Sequence, residues 1–284
     1  MGLTNYPSTY SLIAQDNRAG LIGVITQSKY LAIGSLIHFF NEKVGLVVVQ
    51  GKPEEKIATG IFNAYQCGYS PREAIRKVEE LDQFSDYRQI AFLPISEKGS
   101  IFTGEKLKEV KVGVVRPSCI SIGNFLKNKD VIYSIIEEFE TNIRIDKFSN
   151  TLLNSLKMGL KQGGEKRGQQ SAAIKIWKKQ DQGYSKIMDL RVDDSEYAIE
   201  DLEELIKKYY LYMTPGNLKD SIENNGETHD LIERILTNAS AKYADLGEKM
   251  TLKNLYRIEN LESRWVSDTF IDREAFNFLK SKFL

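Results

Sequence analysis

The chain has 284 residues, of which 42% are hydrophobic and 27% charged, so it belongs among proteins that fold around a core rather than among disordered chains. Lysine plus arginine and aspartate plus glutamate each number 39, which gives a formal net charge of zero. Nucleic-acid-binding proteins usually carry a basic excess, and a membrane span needs an apolar run of roughly 18 residues, which this sequence lacks. We therefore expect no nucleic-acid partner and no membrane partner. The start of the chain shows no basic stretch followed by an apolar one, so we expect a cytoplasmic protein.

Two cysteines and two histidines limit the available chemistry. Cys67 and Cys119 form no CxxC pair, and His38 and His229 lack metal-ligand spacing, so we expect no metal and no other cofactor. Cys67 falls late in a helical pattern and is expected to be a buried thiol. His38 lies in an apolar run and is expected to be a structural histidine with satisfied hydrogen bonds. A hydrolase with this sequence would work without a catalytic histidine.

The first part of the chain alternates strand patterns with one pair of helices. Two hairpins are predicted from the apolar, β-branched runs Thr9–Ala14, Leu21–Thr26, Leu36–Phe40 and Val44–Val49. Ile57, Ile61 and Tyr65 share one helical face, and a second helix begins at Ser70, whose spacing to Glu73 is that of a capping box. Further strands are predicted at Arg88–Leu93, Ser100–Thr103 and Cys119–Phe125.

A second pair of helices follows, and then two more strands. The apolar spacing predicts helices after Asp130 and around Leu152–Leu160, strands at Ser171–Trp177 and Lys186–Val192, and a charged helix at Glu196–Tyr212. Two helix pairs that cover two antiparallel sheets predict the α+β class, as a four-layer αββα sandwich over residues 1–212. The turn-forming residues Met213-Thr214-Pro215-Gly216 mark a boundary, and residues 213–284 are predicted to form a small helical domain.

Two segments outside the apolar pattern suggest a site. The block at 163–170 (GGEKRGQQ) has the glycine spacing of a phosphate loop, but Gln169 and Gln170 stand where that loop needs Lys followed by Ser or Thr. Nucleotide binding is therefore not expected, although the block resembles the edge of a site more than a spacer. In Ser28-Lys29, a lysine lies beside a hydroxyl, which suits either a catalytic partner or a surface lysine.

Acidic residues near the end of one predicted strand leave a second question open. Asp189, Asp193 and Asp194 suit a metal site or plain exposure to solvent, and solvent exposure is the default.

Several short blocks resemble one family across most of the chain. They are Thr9-Tyr10-Ser11, Gln27-Ser28-Lys29 with Gly34, Arg88-Gln89, Phe102-Thr103-Gly104, Gly123-Asn124, 163–173 (GGEKRGQQSAA) and 189–194 (DLRVDD). Over about Thr9 to Tyr212 they resemble the bacterial and archaeal family named domain of unknown function 1028. At the C-terminus, 259–265 (ENLESRW) and Ile271-Asp272 resemble a helical tail described in many members as peptidoglycan-binding.

The resemblance implies the fold of N-terminal-nucleophile hydrolases, which hydrolyse amides without histidine. In that chemistry a Thr, Ser or Cys at the mature N-terminus attacks the amide, its own α-amine acts as base, and amide donors stabilise the oxyanion. A small amide or peptide is the implied substrate. The implied roles are nucleophile for Thr9, charged partner for Lys29, oxyanion donor for Asn124, and substrate binding for Ser28, Arg167, Gln170 and Asp193.

Two departures from the family pattern keep a second function open. Many members carry the threonine directly after the initiator methionine, whereas here eight residues precede Thr9, so cleavage after Ser8 is required. Ser195 stands where relatives often carry histidine. The alternative is a non-catalytic member that binds a ligand or partner and whose tail mediates assembly. We expect a homo-oligomer in either case. The missing export signal argues against contact of the tail with peptidoglycan.

Overall fold

The structure is a computed structural model of the chain and describes residues 6–95, 97–143 and 147–284. These residues form twelve strands and eight helices. The strands are β1 (Thr9–Asp16), β2 (Leu21–Ser28), β3 (His38–Asn41), β4 (Gly45–Gly51), β5 (Arg88–Pro94), β6 (Ser100–Thr103), β7 (Val112–Val115), β8 (Cys119–Gly123), β9 (Ser171–Lys179), β10 (Tyr184–Val192), β11 (Ser221–Glu223) and β12 (Phe270–Asp272). The helices are α1 (Glu55–Gln66), α2 (Pro71–Glu79), α3 (Asp130–Asn142), α4 (Phe148–Lys161), α5 (Ala198–Met213), α6 (Gly226–Lys242), α7 (Leu252–Ile258) and α8 (Arg273–Phe283). None of the helices in the described ranges is both long enough and apolar enough to cross a bilayer.

Two antiparallel sheets contain ten of the twelve strands of the described residues. The larger has six strands in the order β10-β9-β2-β1-β8-β7, and the smaller has four in the order β3-β4-β5-β6. In the larger sheet β1 is central, and it pairs with β2 so that Thr9 lies opposite Ser28. On its other side β1 pairs with β8, where Tyr10 lies opposite Gly123. The beginning of β1 therefore lies beside the ends of both neighbouring strands.

The two sheets share an apolar core, and each has a pair of helices on its other face. Ile13 of β1, Leu46 of β4 and Ile120 of β8 belong to one buried cluster between the sheets. Because side chains alternate along a strand, Tyr10 faces away from that cluster, and Gly159 of α4 lies against its ring. The helices α3 and α4 contact the larger sheet, and α1 and α2 pack on the smaller one through residues such as Ile61.

A buried arginine anchors the start of β5. The Arg88 guanidinium is fully buried, forms ion pairs with Asp82 and Glu54, and donates to the Lys52 carbonyl oxygen. These contacts satisfy a charge that would otherwise be costly to bury. Hydrogen bonds from Lys52, Lys56 and Arg88 hold the pKa of Glu54 at about 2. The cluster fixes the position of the next residue, Gln89, which points into the site described below.

The chain divides into two compact units, Met1–Glu203 and Glu204–Leu284. The second unit has its own apolar core, in which Ile235 of α6, Leu255 of α7 and Leu279 of α8 pack together. Within it, β11 pairs with β12, and the buried Arg264 forms an ion pair with Asp272. The division falls inside α5, while the domain boundary that the sequence places at 212/213 stays a prediction.

The predicted mixed class with antiparallel sheets is confirmed, as are both hairpins of the first strands and the capping box at Ser70. Several local predictions are wrong. The predicted strand Cys119–Phe125 ends at Gly123, because Phe125 adopts a left-handed backbone with φ 56°. Strands β7, β11 and β12 are absent from the prediction, since their three or four residues carry too little pattern.

The predictions for Cys67 and His38 also need correction. Cys67 caps α1 and is exposed rather than buried, because the helix ends one residue earlier. The ring nitrogens of His38 are buried, but neither has a hydrogen-bond partner among the described residues. Burial lowers the pKa of His38 to about 3, so the ring stays neutral.

Candidate functional site

At the start of β1, polar side chains replace the apolar core between the two sheets. Ser11 shares a hydrogen bond of 2.6 Å with Thr26, its cross-strand partner on β2. Gln50, at the end of β4 in the facing sheet, donates to the Ser11 hydroxyl at 3.0 Å. All three side chains are buried. A polar network thus joins the two sheets, where buried groups must be paired with one another.

Asn124 links this network to the facing sheet. Its side-chain amide donates to Gln89 Oε1 at 3.1 Å and, over a longer 3.4 Å, to Gln50 Oε1. Gln89 in turn donates to the carbonyl oxygens of Val112 and Gly123, both at 3.1 Å. The backbone N–H of Asn124 donates to the Thr9 carbonyl oxygen at 3.0 Å. Asn124 is therefore fixed on both sides, directly beside the first residue of β1.

Thr9 lies at the end of a short chain of hydroxyl hydrogen bonds. Its Oγ1 donates to Ser28 Oγ at 3.2 Å, and Ser28 Oγ donates to the Ser8 carbonyl oxygen at 2.6 Å. Ser8, Thr9 and Ser28 are all buried. The hydroxyl of Thr9 is consequently connected, through Ser28, to the carbonyl of the peptide bond that precedes Thr9.

Three further predicted residues line one cavity. Lys29, Arg167 and Gln170, together with Tyr30 and Leu31, surround a space of about 620 Å³. The Lys29 ammonium donates to the Gln169 carbonyl oxygen at 2.9 Å, and Gln170 N–H donates to the Ser28 carbonyl oxygen at 3.0 Å. The described lining carries two cationic side chains, Lys29 and Arg167, so it suits a ligand with a negatively charged or electron-rich group.

A buried glutamate lies behind that cavity. The Glu165 carboxylate accepts the Lys29 backbone N–H at 2.7 Å and pairs with Arg167 Nε at 2.5 Å. Burial raises the pKa of Glu165, although Arg167 and the hydrogen bond from Lys29 act in the opposite direction. Glu165 therefore holds the Arg167 side chain and the Lys29 backbone from a buried position.

The aspartates after β10 interact with neighbouring side chains. Asp193 forms a paired hydrogen bond with the Arg191 guanidinium, at 3.1 and 2.9 Å, and its carbonyl oxygen accepts the Ala32 N–H. Asp194 accepts from Gln170 at 3.0 Å. In the described parts of the chain, no three His, Cys, Asp or Glu side chains are grouped as they would be to hold a metal ion.

The structure thus places the predicted residues in two neighbouring groups. Thr9, Ser28 and Asn124 meet at the start of β1, whereas Lys29, Arg167 and Gln170 line the cavity beyond the end of β2. Asp193 faces Arg191 instead of that cavity lining. That Lys29 lies close enough to Thr9 to share one cleft with it remains a prediction.

Sequence reasoning did not single out Gln50, and Gln89 entered only as part of a family block. Both are polar residues at the edges of apolar strand runs, after Val47-Val48-Val49 and before Ile90-Ala91. A glutamine that continues a buried strand must have a buried hydrogen-bond partner. On that ground Gln50 and Gln89 could have been predicted to belong to a buried polar site.

The second unit carries a groove of its own. It has a volume of about 910 Å³ and runs along α6. Its lining combines carboxylates, hydroxyls and an amide with apolar side chains, among them Asn224, Glu233, Thr237, Met250 and Asp268. Such a mixture suits a polar, uncharged or cationic ligand.

Comparison with known proteins places the first unit in a family. The model of the family described as "Family of unknown function (DUF1028)" matches residues 9–202. The crystal structure of protein SPO2555 from Silicibacter pomeroyi, described as a DUF1028 protein, superposes with a TM-score of 0.63 at 23% identity, covering 80% of this chain and 94% of that one. No curated protein matches this chain. Because the family model covers more than half of its length, the chain belongs to the DUF1028 family of unknown function.

Proposed function

We propose that the chain is an amide hydrolase of the N-terminal-nucleophile type, made as a precursor that cleaves itself between Ser8 and Thr9. The observation that carries this proposal is the hydrogen-bond chain from the Thr9 hydroxyl through Ser28 to the Ser8 carbonyl oxygen. The layer order also supports the proposal. A helix pair, two antiparallel sheets and a second helix pair follow one another as in an αββα sandwich.

The first step in this proposal moves the Ser8 acyl group from nitrogen to oxygen. Thr9 Oγ1 forms a bond to the Ser8 carbonyl carbon, its proton passes to Ser28 Oγ, and the Ser28 proton passes to the carbonyl oxygen. The carbon–nitrogen bond then breaks, and the Thr9 nitrogen takes the proton that the carbonyl oxygen had received. The Ser8 acyl group remains as an ester on Thr9. Water hydrolyses this ester and leaves Thr9 with a free α-amine.

The mature Thr9 then acts on other amides. Its α-amine has an ordinary pKa near neutrality and takes the proton of the hydroxyl as Oγ1 attacks the substrate carbonyl. The amine gives this proton to the leaving nitrogen as the substrate carbon–nitrogen bond breaks, and water then hydrolyses the ester on Thr9. Ser28 and the Asn124 amide donate to the developing oxyanion, and for Asn124 this replaces the long 3.4 Å bond to Gln50. The positive charge of Lys29 favours the uncharged amine. Arg167 and Gln170, which line the cavity, hold the rest of a small amide or peptide substrate.

Intact-mass measurement tests this function on protein from its native host and on the recombinant chain. We expect mature material that begins at Thr9, and a Thr9→Ala chain that keeps Ser8 and hydrolyses no amide. The matched control is Ser155→Ala, which removes a buried hydroxyl that donates within α4 and lies outside the polar network of the site. The control should be cleaved like the wild type.

Two outcomes would change the proposal. A chain that keeps the residues before Thr9 and still hydrolyses amides would show that the mechanism is wrong. A chain that keeps them and hydrolyses nothing would favour the alternative, a ligand- or partner-binding protein. The acylated nitrogen and complete burial of Thr9 in the uncleaved chain suit that alternative.

For the second unit we propose a binding role that is separate from hydrolysis. The carboxylates, hydroxyls and amide of its groove match the groups that bind sugar hydroxyls, in line with the peptidoglycan-binding tail that the sequence resembles. Titration with oligosaccharides of N-acetylglucosamine, the uncharged sugar of the peptidoglycan repeat, tests this, and Glu233→Gln should weaken binding. Homo-oligomerisation and a cytoplasmic location stay predictions, for light scattering and cell fractionation respectively.

A further inference from the structure

Tyr6, Pro7 and Ser8, the described segment before Thr9, form one side of a small pocket. The other side is formed by the loop before β5, the loop after β6 and the residue after β8, namely Tyr87, Lys106, Leu107, Lys108 and Asn124. The space between the segment and these residues is only about 40 Å³, and removal of the segment would enlarge it. Pro7 and Ser8 are buried. The segment is therefore packed against these residues rather than lying on the surface.

The segment is held as a bound peptide would be. The Tyr6 ring packs edge-on against Tyr87 with 5.6 Å between ring centroids. At the other end, the Ser8 carbonyl oxygen accepts from Ser28 and the following carbonyl, of Thr9, accepts from the Asn124 N–H. An aromatic anchor and two carbonyl contacts fix both the register and the direction of the segment.

The rim of the pocket carries positive charge. Lys106 lies 5.3 Å from the centre of the Tyr87 ring and pairs with Asp86, and Lys108 lies 5.0 Å from the centre of the Phe125 ring. A cationic side chain in the place of Tyr6 would compete with Lys106 for the Tyr87 ring and be repelled by its ammonium group. The pocket thus discriminates between aromatic and basic residues at that position.

We propose that this pocket binds the acyl half of the substrate once the segment has left. The inference rests on the proposed function, because the nucleophile that cleaves after Ser8 is also the one that attacks the substrate. A substrate carbonyl must then lie next to the place of the Ser8 carbonyl, within reach of Thr9 Oγ1, and its acyl chain can leave in the same direction. The substrate class is a peptide-like acyl amide with a small hydroxyl-bearing residue at the cleaved bond and an aromatic residue two positions earlier.

A binding experiment on the full-length chain tests the pocket without catalysis. All variants carry Thr9→Ala so that the chain stays intact, and the probe is N-acetyl-L-tyrosinamide. With Tyr6→Ala added, the place of the Tyr6 ring is vacant, and the probe should raise the melting temperature saturably. The chain that retains Tyr6 should show no rise. Adding Tyr87→Ala should weaken the binding about tenfold, since it removes the aromatic contact.

The matched control replaces Tyr87→Ala with Tyr69→Ala, an exposed tyrosine on another part of the surface. This control should leave the affinity for the probe unchanged. No saturable binding to the Tyr6→Ala chain, or equal binding to the chain that retains Tyr6, would overturn the assignment of the pocket.

A second experiment measures hydrolysis by the chain that begins at Thr9. The substrates are the aminomethylcoumarin amides of acetyl-Tyr-Pro-Ser and acetyl-Lys-Pro-Ser. We expect kcat/KM to be about tenfold higher for the tyrosine peptide. Hydrolysis of both peptides at equal rates would contradict the assignment of the pocket but support the hydrolase activity. Probe binding without any hydrolysis would support the pocket and contradict the hydrolase.

Discussion

The space between the two sheets has an apolar end and a polar end, and the same strands supply both. Along β1, Ile13 lies in the apolar cluster, whereas Ser11, on the same face, lies in the polar network. Along β4 the change occurs between Val48 and Gln50. A shift of two residues along a strand therefore separates a region built from apolar contacts from one built from hydrogen bonds.

The difference shows what each end contributes. Burying apolar side chains is favourable without further conditions, at about 25 cal/mol per Å² removed from water. Burying a hydroxyl or an amide costs free energy unless a partner is found, and a paired group gains only about 1 kcal/mol. The polar end is thus a poor source of stability. Its value lies in holding Thr9, Ser28 and Asn124 in one geometry.

The largest expected effect on stability belongs to the apolar end. Leu46→Ala removes a fully buried side chain of the shared cluster and should lower the free energy of unfolding by about 2–5 kcal/mol. Guanidinium denaturation measures this, with Leu81→Ala as control, because Leu81 is 90% exposed. A loss at Leu46 no larger than that at Leu81 would contradict the assignment of this cluster as the core.

The next effect concerns the polar end. Gln89→Leu removes the donor to the Val112 and Gly123 carbonyl oxygens and the acceptor for Asn124. We expect a loss of about 2–3 kcal/mol, because the groups left behind are buried without partners. Cleavage after Ser8 should also slow in the folded protein, since Asn124 loses its support. Gln83→Leu, at an exposed glutamine, serves as control. Unchanged cleavage in the Gln89 variant would show that the support of Asn124 by Gln89 is not needed for cleavage.

For Glu54 and Glu165 we expect opposite contributions to the dependence of stability on pH. The folded-state pKa of Glu54, at about 2, lies below its ordinary value of 4.5, so the stability that Glu54 contributes is present above pH 4.5 and lost as the pH falls towards 2. Burial raises the pKa of Glu165, so the folded state prefers its protonated form, and stability falls as the pH rises from 4.5 through the raised pKa.

Melting temperatures of two variants, measured against pH, test this contrast. Glu54→Gln should remove part of the loss of stability below pH 4.5, whereas Glu165→Gln should remove part of the loss above it. If both variants changed the profile on the same side of pH 4.5, the environment assigned to one of the two carboxylates would be wrong.

Most of the secondary structure was predictable because apolar and polar residues alternate regularly along the chain. The hairpin of Thr9–Asp16 with Leu21–Ser28 has continuous apolar runs on either side of a short polar turn, and Ser70 with Glu73 forms the capping box expected from their spacing. The three-residue strands β11 and β12 escaped prediction because a period of two cannot be recognised over so few residues.

The site was only partly predictable. Thr9 and Asn124 came from family resemblance, and Lys29 from the Ser28-Lys29 pair as well, but neither source gives contacts. That Thr9 bonds to Ser28, that Lys29 donates to a backbone carbonyl, and that Asn124 is held by Gln50 and Gln89 depend on pairing between distant segments. Such pairing follows from sheet register, which the sequence of a single strand does not specify.

The smallest effect on stability gives the sharpest test of the comparison. Ser28 and Ser121 are buried hydroxyls of the same sheet, and each donates to a carbonyl oxygen of the segment that contains Thr9: Ser28 to Ser8 at 2.6 Å and Ser121 to Ser11 at 3.0 Å. Replacing either by alanine should cost about 1 kcal/mol. Only Ser28→Ala removes the donor to the scissile carbonyl, so only that variant should slow cleavage, on the order of a hundredfold, as expected for loss of an oxyanion donor. Intact-mass time courses on both variants decide the matter. Equal cleavage rates would mean that the polar end between the sheets merely fills space and that the Ser28 hydroxyl takes no part in the chemistry.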